Sequence, residues 1–330
     1  MIHKGMIVYR DVELNVPAQE RGVALGTFDG VHLGHQTLIT ELLKDAKAYG
    51  RVPSIFTFSD HPDVVFHDKD TFSGLIMSVE EKIDTFAALG VEEVFLMPLV
   101  PELYKLSAEE FLRQVMLERL NTGFIVVGED AKFGSGRSGD AEFLVSWGKK
   151  HDVRTAIIAD ISLGECKVSS TRIRQLLRQG DVEKASLLMG RKFVITAFEN
   201  KGRFLSACKL EFSEKVFEQA DEQSNKQANE QGATRKISSP TTTASALFTE
   251  TGNKEFEFLY PDSIVRLPEG KYCGQMYFQS SAADAFVAES SVSVPSYAKS
   301  SDWTARPAEL MVQKRDQKLI IVANVQCLAG

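Results

Sequence analysis

The residues best placed to do chemistry are His32 and His35, three apart in Gly26-Thr-Phe-Asp-Gly-Val-His32-Leu-Gly-His35. The apolar run Val23–Leu25 leads into this segment, and a helical period follows from Leu33 to Tyr49, with Gly50 as a C-cap. Histidines three apart at a helix start lie on nearly one face. The free amides and positive dipole end of that helix favour an anion, and imidazole donors can follow charge as it moves onto phosphate oxygens. The small residues Gly26 and Gly34 let a ligand approach the backbone, with Thr27 and Phe28 in the same turn. No G-x-x-x-x-G-K-[ST] lysine loop occurs in the chain. A zinc site would need a third ligand at helpful spacing, and none lies nearby.

A second helix start repeats the theme in Val168-Ser-Ser170-Thr171-Arg-Ile-Arg174. Serine and threonine there can cap helix amides, which is a sufficient structural role on its own. Arg174 falls on the first turn, where a guanidinium can fork onto phosphate oxygens and hold charge building on a leaving group. A long arginine in a surface pocket is expected to contribute little to the core.

These motifs need a frame that places them together. Strand-like runs at Val52–Phe58, Val91–Leu99, Phe124–Val127 and Arg154–Ile161 alternate with helical patterns. Two of the helices are opened by the capping boxes Ser78-Val-Glu-Glu81 and Ser107-Ala-Glu-Glu110. The alternation predicts a parallel sheet with helices on both faces, and ligands in such sheets bind beyond the carboxyl ends of the strands. The loops after Leu25, Phe58, Val127 and Ile161 are therefore where a site is expected. Gly134-Ser-Gly136-Arg-Ser-Gly139 formally matches the dinucleotide fingerprint. It does not begin where its strand ends and does not belong to the opening strand–helix–strand unit, so we read it as a decoy.

Past Gly190 the texture changes to short apolar-aromatic stretches: Lys192–Phe198, Phe204–Phe212, Glu255–Tyr260, Lys271–Phe278 and Leu319–Val325. These predict a small all-β domain. The expected division is therefore 1–190 and 191–330, with a polar insertion at 218–254 expected to be mobile.

Composition bounds the partners. Lysine plus arginine number 38 and aspartate plus glutamate 45, for a net charge of −7, which speaks against a general nucleic-acid binder. Cys166, Cys208, Cys273 and Cys327 form no C-x-x-C pair and read as small core residues. The first residues lack the apolar core of a signal peptide, and no apolar run approaches a membrane span. The expectation is a soluble cytoplasmic protein; oligomeric state is not written in the pattern.

Taken together, these motifs resemble the adenylyltransferase module of bacterial FAD synthetases, proteins usually fused to a riboflavin kinase. Thr57-Phe-Ser-Asp-His61-Pro62 is similar to the family's F-x-P-H-P segment, with Asp60 where a proline is usual. Gly128-Glu-Asp130-Ala-Lys-Phe133-Gly-Ser-Gly-Arg137-Ser-Gly-Asp140 is similar to its G-x-[ND]-F-x-F-G-x-x-R-x-G-D loop, with Ala131 replacing an aromatic. Gly180-Asp181 through Gly190-Arg191 resembles the segment that closes the module. The resemblance spans about residues 20 to 193. It implies a doubly wound parallel-sheet nucleotidyltransferase domain and attack by an FMN phosphate oxygen on the α-phosphorus of ATP, giving FAD and pyrophosphate.

Carried over by position, the resemblance implies that His32, His35, Ser170, Thr171 and Arg174 are catalytic. Gly26, Thr27, Phe28, Gly34, Gly128 and Asp130 would line the ATP phosphates, and His61, Pro62, Phe133 and Arg137 the FMN. Mg²⁺ would arrive with ATP and need few protein ligands. A carboxylate at Asp130 would repel phosphate unless that ion lay between them.

The second half departs from the family. The kinase's G-R-x-L-G-F-P-T-A-N stretch is replaced by Gly202-Arg-Phe-Leu-Ser-Ala-Cys208, while Pro268-Glu-Gly-Lys-Tyr272 resembles the kinase's P-x-G-x-Y strand. The pattern fits a kinase-like barrel whose own site is lost. The alternative is a bifunctional riboflavin kinase and FAD synthetase with a diverged kinase site. A transferase for another phosphorylated substrate and a non-catalytic flavin-binding protein complete the alternatives.

Overall fold

The computed structural model describes residues 2–11, 16–66, 72–201, 204–216, 252–259, 261, 263–279, 303–315 and 318–327. Two compact units emerge: Met1–Ile195 with Pro261–Leu267, and Thr196–Tyr260 with Pro268–Gly330.

In the first unit the strands Ile2–His3 (β1), Met6–Tyr9 (β2), Arg21–Leu25 (β3), Val52–Phe58 (β4), Glu93–Met97 (β5), Thr122–Gly128 (β6) and Arg154–Ile158 (β7) form one sheet. Its order is β1-β2-β5-β4-β3-β6-β7; β1 runs antiparallel to β2, and the other six strands are parallel. The parallel α/β architecture expected from the strand–helix alternation is present. The α-helices are Leu33–Tyr49 (α1), Pro62–Phe66 (α2), Val79–Ala88 (α3), Pro101–Tyr104 (α4), Ala108–Glu110 (α5), Ala141–His151 (α6), Ser170–Gln179 (α7) and Val182–Met189 (α8). Helix α5 continues as the π-helical segment Phe111–Arg119.

Alternation along the strands fills both faces. Ala24, Ile55, Val94 and Val126 pack with Leu38, Ile39 and Leu42 of α1 and with Ile83 and Phe86 of α3. Val23, Leu25, Phe56, Phe95 and Val127 pack with Phe111, Leu112, Leu144 and Trp147 on the other face. Burying side chains such as Leu42 and Phe86 completely stabilises the unit by about 2 kcal/mol apiece. The helix boundaries follow local chemistry. Both predicted capping boxes close reciprocally, at Ser78–Glu81 and Ser107–Glu110. Gly50 ends α1 in the left-handed conformation, at φ 67°.

At the amino ends of the strands, Arg21 is fully buried and pairs with Glu93, Nε to Oε2 at 2.6 Å, with Ser54 donating to the same oxygen at 3.1 Å. The opposite, carboxyl ends stay open. β3 hydrogen-bonds β4 on one side and β6 on the other, so the loops that leave β3 and β6 diverge there and flank a crevice.

Segment Pro261–Leu267, distant in sequence, belongs to this same unit. It runs beside residues 74–76: Leu75 N–H donates to Ser263 O at 2.8 Å, and Val265 N–H to Leu75 O at 2.8 Å. Ile264, Val265 and Leu267 are buried. Gly74, at φ +98°, lies so close to Val265 that a Cβ would fall 2.6 Å from its backbone nitrogen.

The strands Phe193–Lys201 (β10), whose first three residues count with the first unit, Phe204–Val216 (β11), Gly252–Leu259 (β12), Gly270–Gln279 (β13), Trp303–Arg315 (β14) and Lys318–Cys327 (β15) close into a barrel of order β10-β11-β13-β14-β15-β12. Ser162–Leu163 (β8) and Cys166–Lys167 (β9) are a separate small hairpin of the first unit. Phe212 and Tyr272 meet edge to face in the barrel, with centroids 5.6 Å apart. Of the insertion expected at 218–254, residues 218–251 lie outside the described residues, and Gly252–Lys254 begin β12. Cys166, read as a core residue, is a half-buried free thiol on β9. No helix among the described residues is long and apolar enough to cross a membrane.

Candidate active site

The turn after β3 is an unusual piece of backbone. Phe28 has φ 53°, Gly30 φ 82° and Val31 φ 36°. Left-handed conformations at a phenylalanine and a valine cost on the order of 1–3 kcal/mol each and persist only where the surroundings over-determine them. Here they do. The Phe28 ring is fully buried, edge-on to Phe86 at 5.5 Å and tilted against His35 at 5.0 Å. The Asp29 carboxylate accepts the Ile76 amide at 3.0 and 3.1 Å and pairs with Arg174 Nη2 at 2.5 Å. Ser170 Oγ donates to Asp29 O at 2.9 Å, and Arg191 Nη2 donates to Gly30 O at 2.9 Å. Helix α7 and the chain after α8 therefore hold the turn that opens α1.

The two histidines are shaped by the same turn. His32 is the N-cap of α1, and its Nδ1 accepts the His35 amide at 3.3 Å. A neutral His32 ring therefore carries its proton on Nε2, leaving that nitrogen as the donor. The rings stack with centroids 3.7 Å apart and planes 13° from parallel. Gly34 permits this, because a Cβ there would sit 3.2 Å from the His32 ring. Burial lowers the His32 pKa to about 4, assisted by the charge of Arg174. Burial, with the neighbouring His32 and Lys82, holds His35 well below the ordinary imidazole value. At neutral pH both rings are uncharged donors, and His35 Nδ1 is enclosed without a hydrogen-bond partner among the described residues.

A cavity of about 760 Å³ opens over the carboxyl ends of the strands. It is lined by Gly26, Thr27, Phe28, His32, Gly34 and His35 from the first motif, and by His61 and Pro62 after β4. Gly128, Asp130, Phe133 and Arg137 line it from the loop after β6, and Ser170 and Thr171 from the start of α7. Every candidate catalytic, phosphate-binding and FMN-binding residue except Arg174 thus borders one space. Arg174 borders an adjoining cavity of about 730 Å³, with Asp63, Phe72 and Thr171.

The expectation of a free surface arginine needs correction. Arg174 is only 8% exposed. Its Nε donates to Gly74 O at 2.9 Å, its Nη2 serves Asp29 and approaches His61 Nε2 at 3.0 Å, and its guanidinium lies 5.0 Å from the Phe72 ring centroid. Burial and this guanidinium push the His61 pKa down.

The glycine-rich decoy is also explained. β6 ends at Gly128, and Phe133 pairs with Gly139 through N–H···O bonds of 3.1 and 2.9 Å, so the intervening residues form a tight loop with one 3-10 turn at Ser135–Arg137 rather than the start of an α-helix. A Cβ on Gly134 would fall 2.5 Å from the Ala108 nitrogen, and one on Gly139 would strike the Phe133 ring at 2.4 Å. These glycines serve close packing. Asp140 caps α6 through the Phe143 amide at 3.0 Å and pairs with Lys132 at 3.2 Å.

Two participants were not singled out as candidate site residues, although Asp29 lies within the first motif. Asp29 reads as a turn residue between glycines until Arg174 is seen against it. Lys82 reads as one charge on an amphipathic helix, yet it is 8% exposed, and its Nζ donates to Phe58 O at 2.9 Å. As for metals, no group of three or more histidine, cysteine, aspartate or glutamate side chains among the described residues is arranged to hold an ion. Asp160, another carboxylate of the cavity, is already paired with Lys167.

A parallel sheet crossed at its switch point by a stacked histidine pair and a serine–threonine helix start defines an α/β domain of the nucleotidyltransferase type. The sequence model of FAD synthetase matches residues 16–172. An FAD synthetase from Listeria monocytogenes is 30% identical over 180 residues, covering 54% of this chain and 72% of that protein. The chain belongs to the FAD synthetase family. A bifunctional riboflavin kinase/FMN adenylyltransferase from Buchnera aphidicola is 31% identical over 175 residues, 53% of this chain and 56% of that protein. The match to a second Buchnera protein covers 55% of its length, so the chain spans little more than half of these two relatives. A crystal structure described as a macrolide-efflux protein from Streptococcus pneumoniae shares the fold, with a TM-score of 0.65 at 18% identity over 98% of this chain and 88% of that one.

Proposed function

We propose that the first unit transfers AMP from ATP to FMN. A phosphate oxygen of FMN attacks the α-phosphorus of ATP, the bond from that phosphorus to the bridging oxygen breaks, and FAD and pyrophosphate leave. The observation that carries this reading is the single cavity bordered by the His32–His35 pair, the start of α7 and the loop after β6. His32 and His35 act as neutral donors to the phosphates of ATP, and Ser170 and Thr171 meet the same charge from the opposite helix. Arg174 supports them through Asp29 and His61. The loop bearing Phe133 and Arg137, with His61 and Pro62, offers an aromatic and cationic wall for FMN. Mg²⁺ enters as part of the substrate, bound to ATP, since the cavity holds few spare carboxylates.

The barrel is proposed to be a kinase-like domain without riboflavin kinase activity, because the P-T-A-N stretch is missing from its sequence. A bifunctional enzyme is the second reading, favoured by the names of several relatives. Incubation with ATP and Mg²⁺ plus either flavin, followed by chromatographic separation, distinguishes them. The proposal expects FMN to become FAD and riboflavin to remain riboflavin. Conversion of riboflavin through FMN to FAD at comparable rates would establish the bifunctional reading.

A further inference from the structure

Lys82 reaches from α3 beneath the turn that carries the histidine pair. Its Nζ donates to Phe58 O at 2.9 Å, to Thr27 O at 3.3 Å and to Thr57 Oγ1 at 3.4 Å. Thr57 Oγ1 in turn donates to Thr27 O at 3.0 Å. One buried ammonium therefore ties the end of β4 to the first peptide of the phosphate-facing turn. A trans peptide directs its carbonyl and its amide oppositely, so fixing Thr27 O toward Lys82 fixes the Phe28 amide away from it. That amide meets no acceptor among the described residues. A buried ammonium is costly unless it is well bonded, and apolar packing alone would be met more cheaply by methionine.

We infer that Lys82 is a positioning residue of the AMP-transfer site: its charge holds the Thr27 and Phe58 carbonyls so that the Phe28 amide and the His32–His35 pair are set to receive the phosphates of ATP. The inference rests on the adenylyltransferase reading. Burial brings the Lys82 pKa down to about 8, with Asp29 opposing the shift, so the charge can be removed within an ordinary assay range. The titratable groups facing it are Asp29 in the turn, Asp60 and His61 after β4, and His35 on α1. Burial holds both imidazoles below their ordinary value, so they stay neutral between pH 7 and 9.5, while the Lys82 ammonium loses its proton in that range.

The test is calorimetric binding of MgATP to the full chain at pH 7 and pH 9.5, below the melting temperature of every variant, with steady-state FMN adenylylation alongside. Wild type should bind MgATP about tenfold more weakly at pH 9.5. Lys82→Met should bind weakly and equally at both pH values, with kcat at pH 7 reduced about tenfold; Lys82→Gln serves if the methionine variant does not fold. Wild-type and Lys82→Met affinities for MgATP that are equal at pH 7 would overturn the inference. So would a Lys82 variant that melts earlier yet binds and turns over like wild type, since that is a purely structural residue. Absence of FAD formation by wild type, with MgATP binding still dependent on pH and on Lys82, would instead remove FMN as the acceptor and leave the positioning role standing.

Discussion

Asp29 and Arg174, 145 positions apart in the chain, meet at 2.5 Å beneath the turn that presents the histidine pair. Both are nearly buried, at 4% and 8% exposure, so the pair is shielded from solvent and joins the start of α1 to the start of α7.

Arg174→Met should therefore destabilise the first unit by about 3–5 kcal/mol, because it strands the buried Asp29 carboxylate. Asp29→Asn combined with Arg174→Met should recover part of that loss. Denaturant titration of the two single variants and the double variant measures the coupling; strictly additive effects would mean that the pair is not interacting.

Acid should loosen the site before it unfolds the whole chain. His32 has its pKa lowered from 6.5 to about 4, so between those values the unfolded chain binds more protons than the native one. The stability it contributes is complete above about pH 6.5 and is lost as pH falls toward 4; the shift corresponds to about 3 kcal/mol. His35 shifts in the same direction. Thermal melts from pH 7 to pH 4 should fall more steeply for wild type than for His32→Asn, which has no imidazole to protonate.

The segment Pro261–Leu267 bears on where the chain can be cut. By sequence alone, a chain ending near Arg191 keeps every motif of the first domain and is expected to remain active. In the structure that cut removes buried Ile264, Val265 and Leu267 and the two hydrogen bonds to Leu75, next to the Gly74 carbonyl that receives Arg174. The truncated chain should melt earlier and lose most of its adenylylation. Gly74→Ala in the full chain should do the same more mildly, since its Cβ would meet the Val265 backbone. Undiminished stability in both would show that the segment is dispensable.

What the sequence disclosed was local. The bounds of α1, the two capping boxes and the strand at Val52–Phe58 follow from period and caps within a few residues. The cavity-lining motifs were legible because glycines, histidines and hydroxyls cluster at strand-to-helix turns. The supports were not: Lys82 and Thr27 are 55 positions apart, and no periodicity reports such a contact. Arg174 looked like a surface group because its partner lies on another helix–turn junction. Strand β14 was hidden for another reason, since Pro307 within Trp303–Arg315 argues against a strand interior.

Transfer of AMP to FMN is read out by where an isotope on the α-phosphorus of ATP ends up. Full-length protein is incubated with FMN, Mg²⁺ and ATP carrying a radioactive α-phosphorus, and the flavins and phosphates are then separated. Label is expected in FAD and none in pyrophosphate, with yield cut at least about tenfold by His35→Ala. Unlabelled flavin under these conditions, or full labelling by the His32→Ala/His35→Ala double variant, would contradict it.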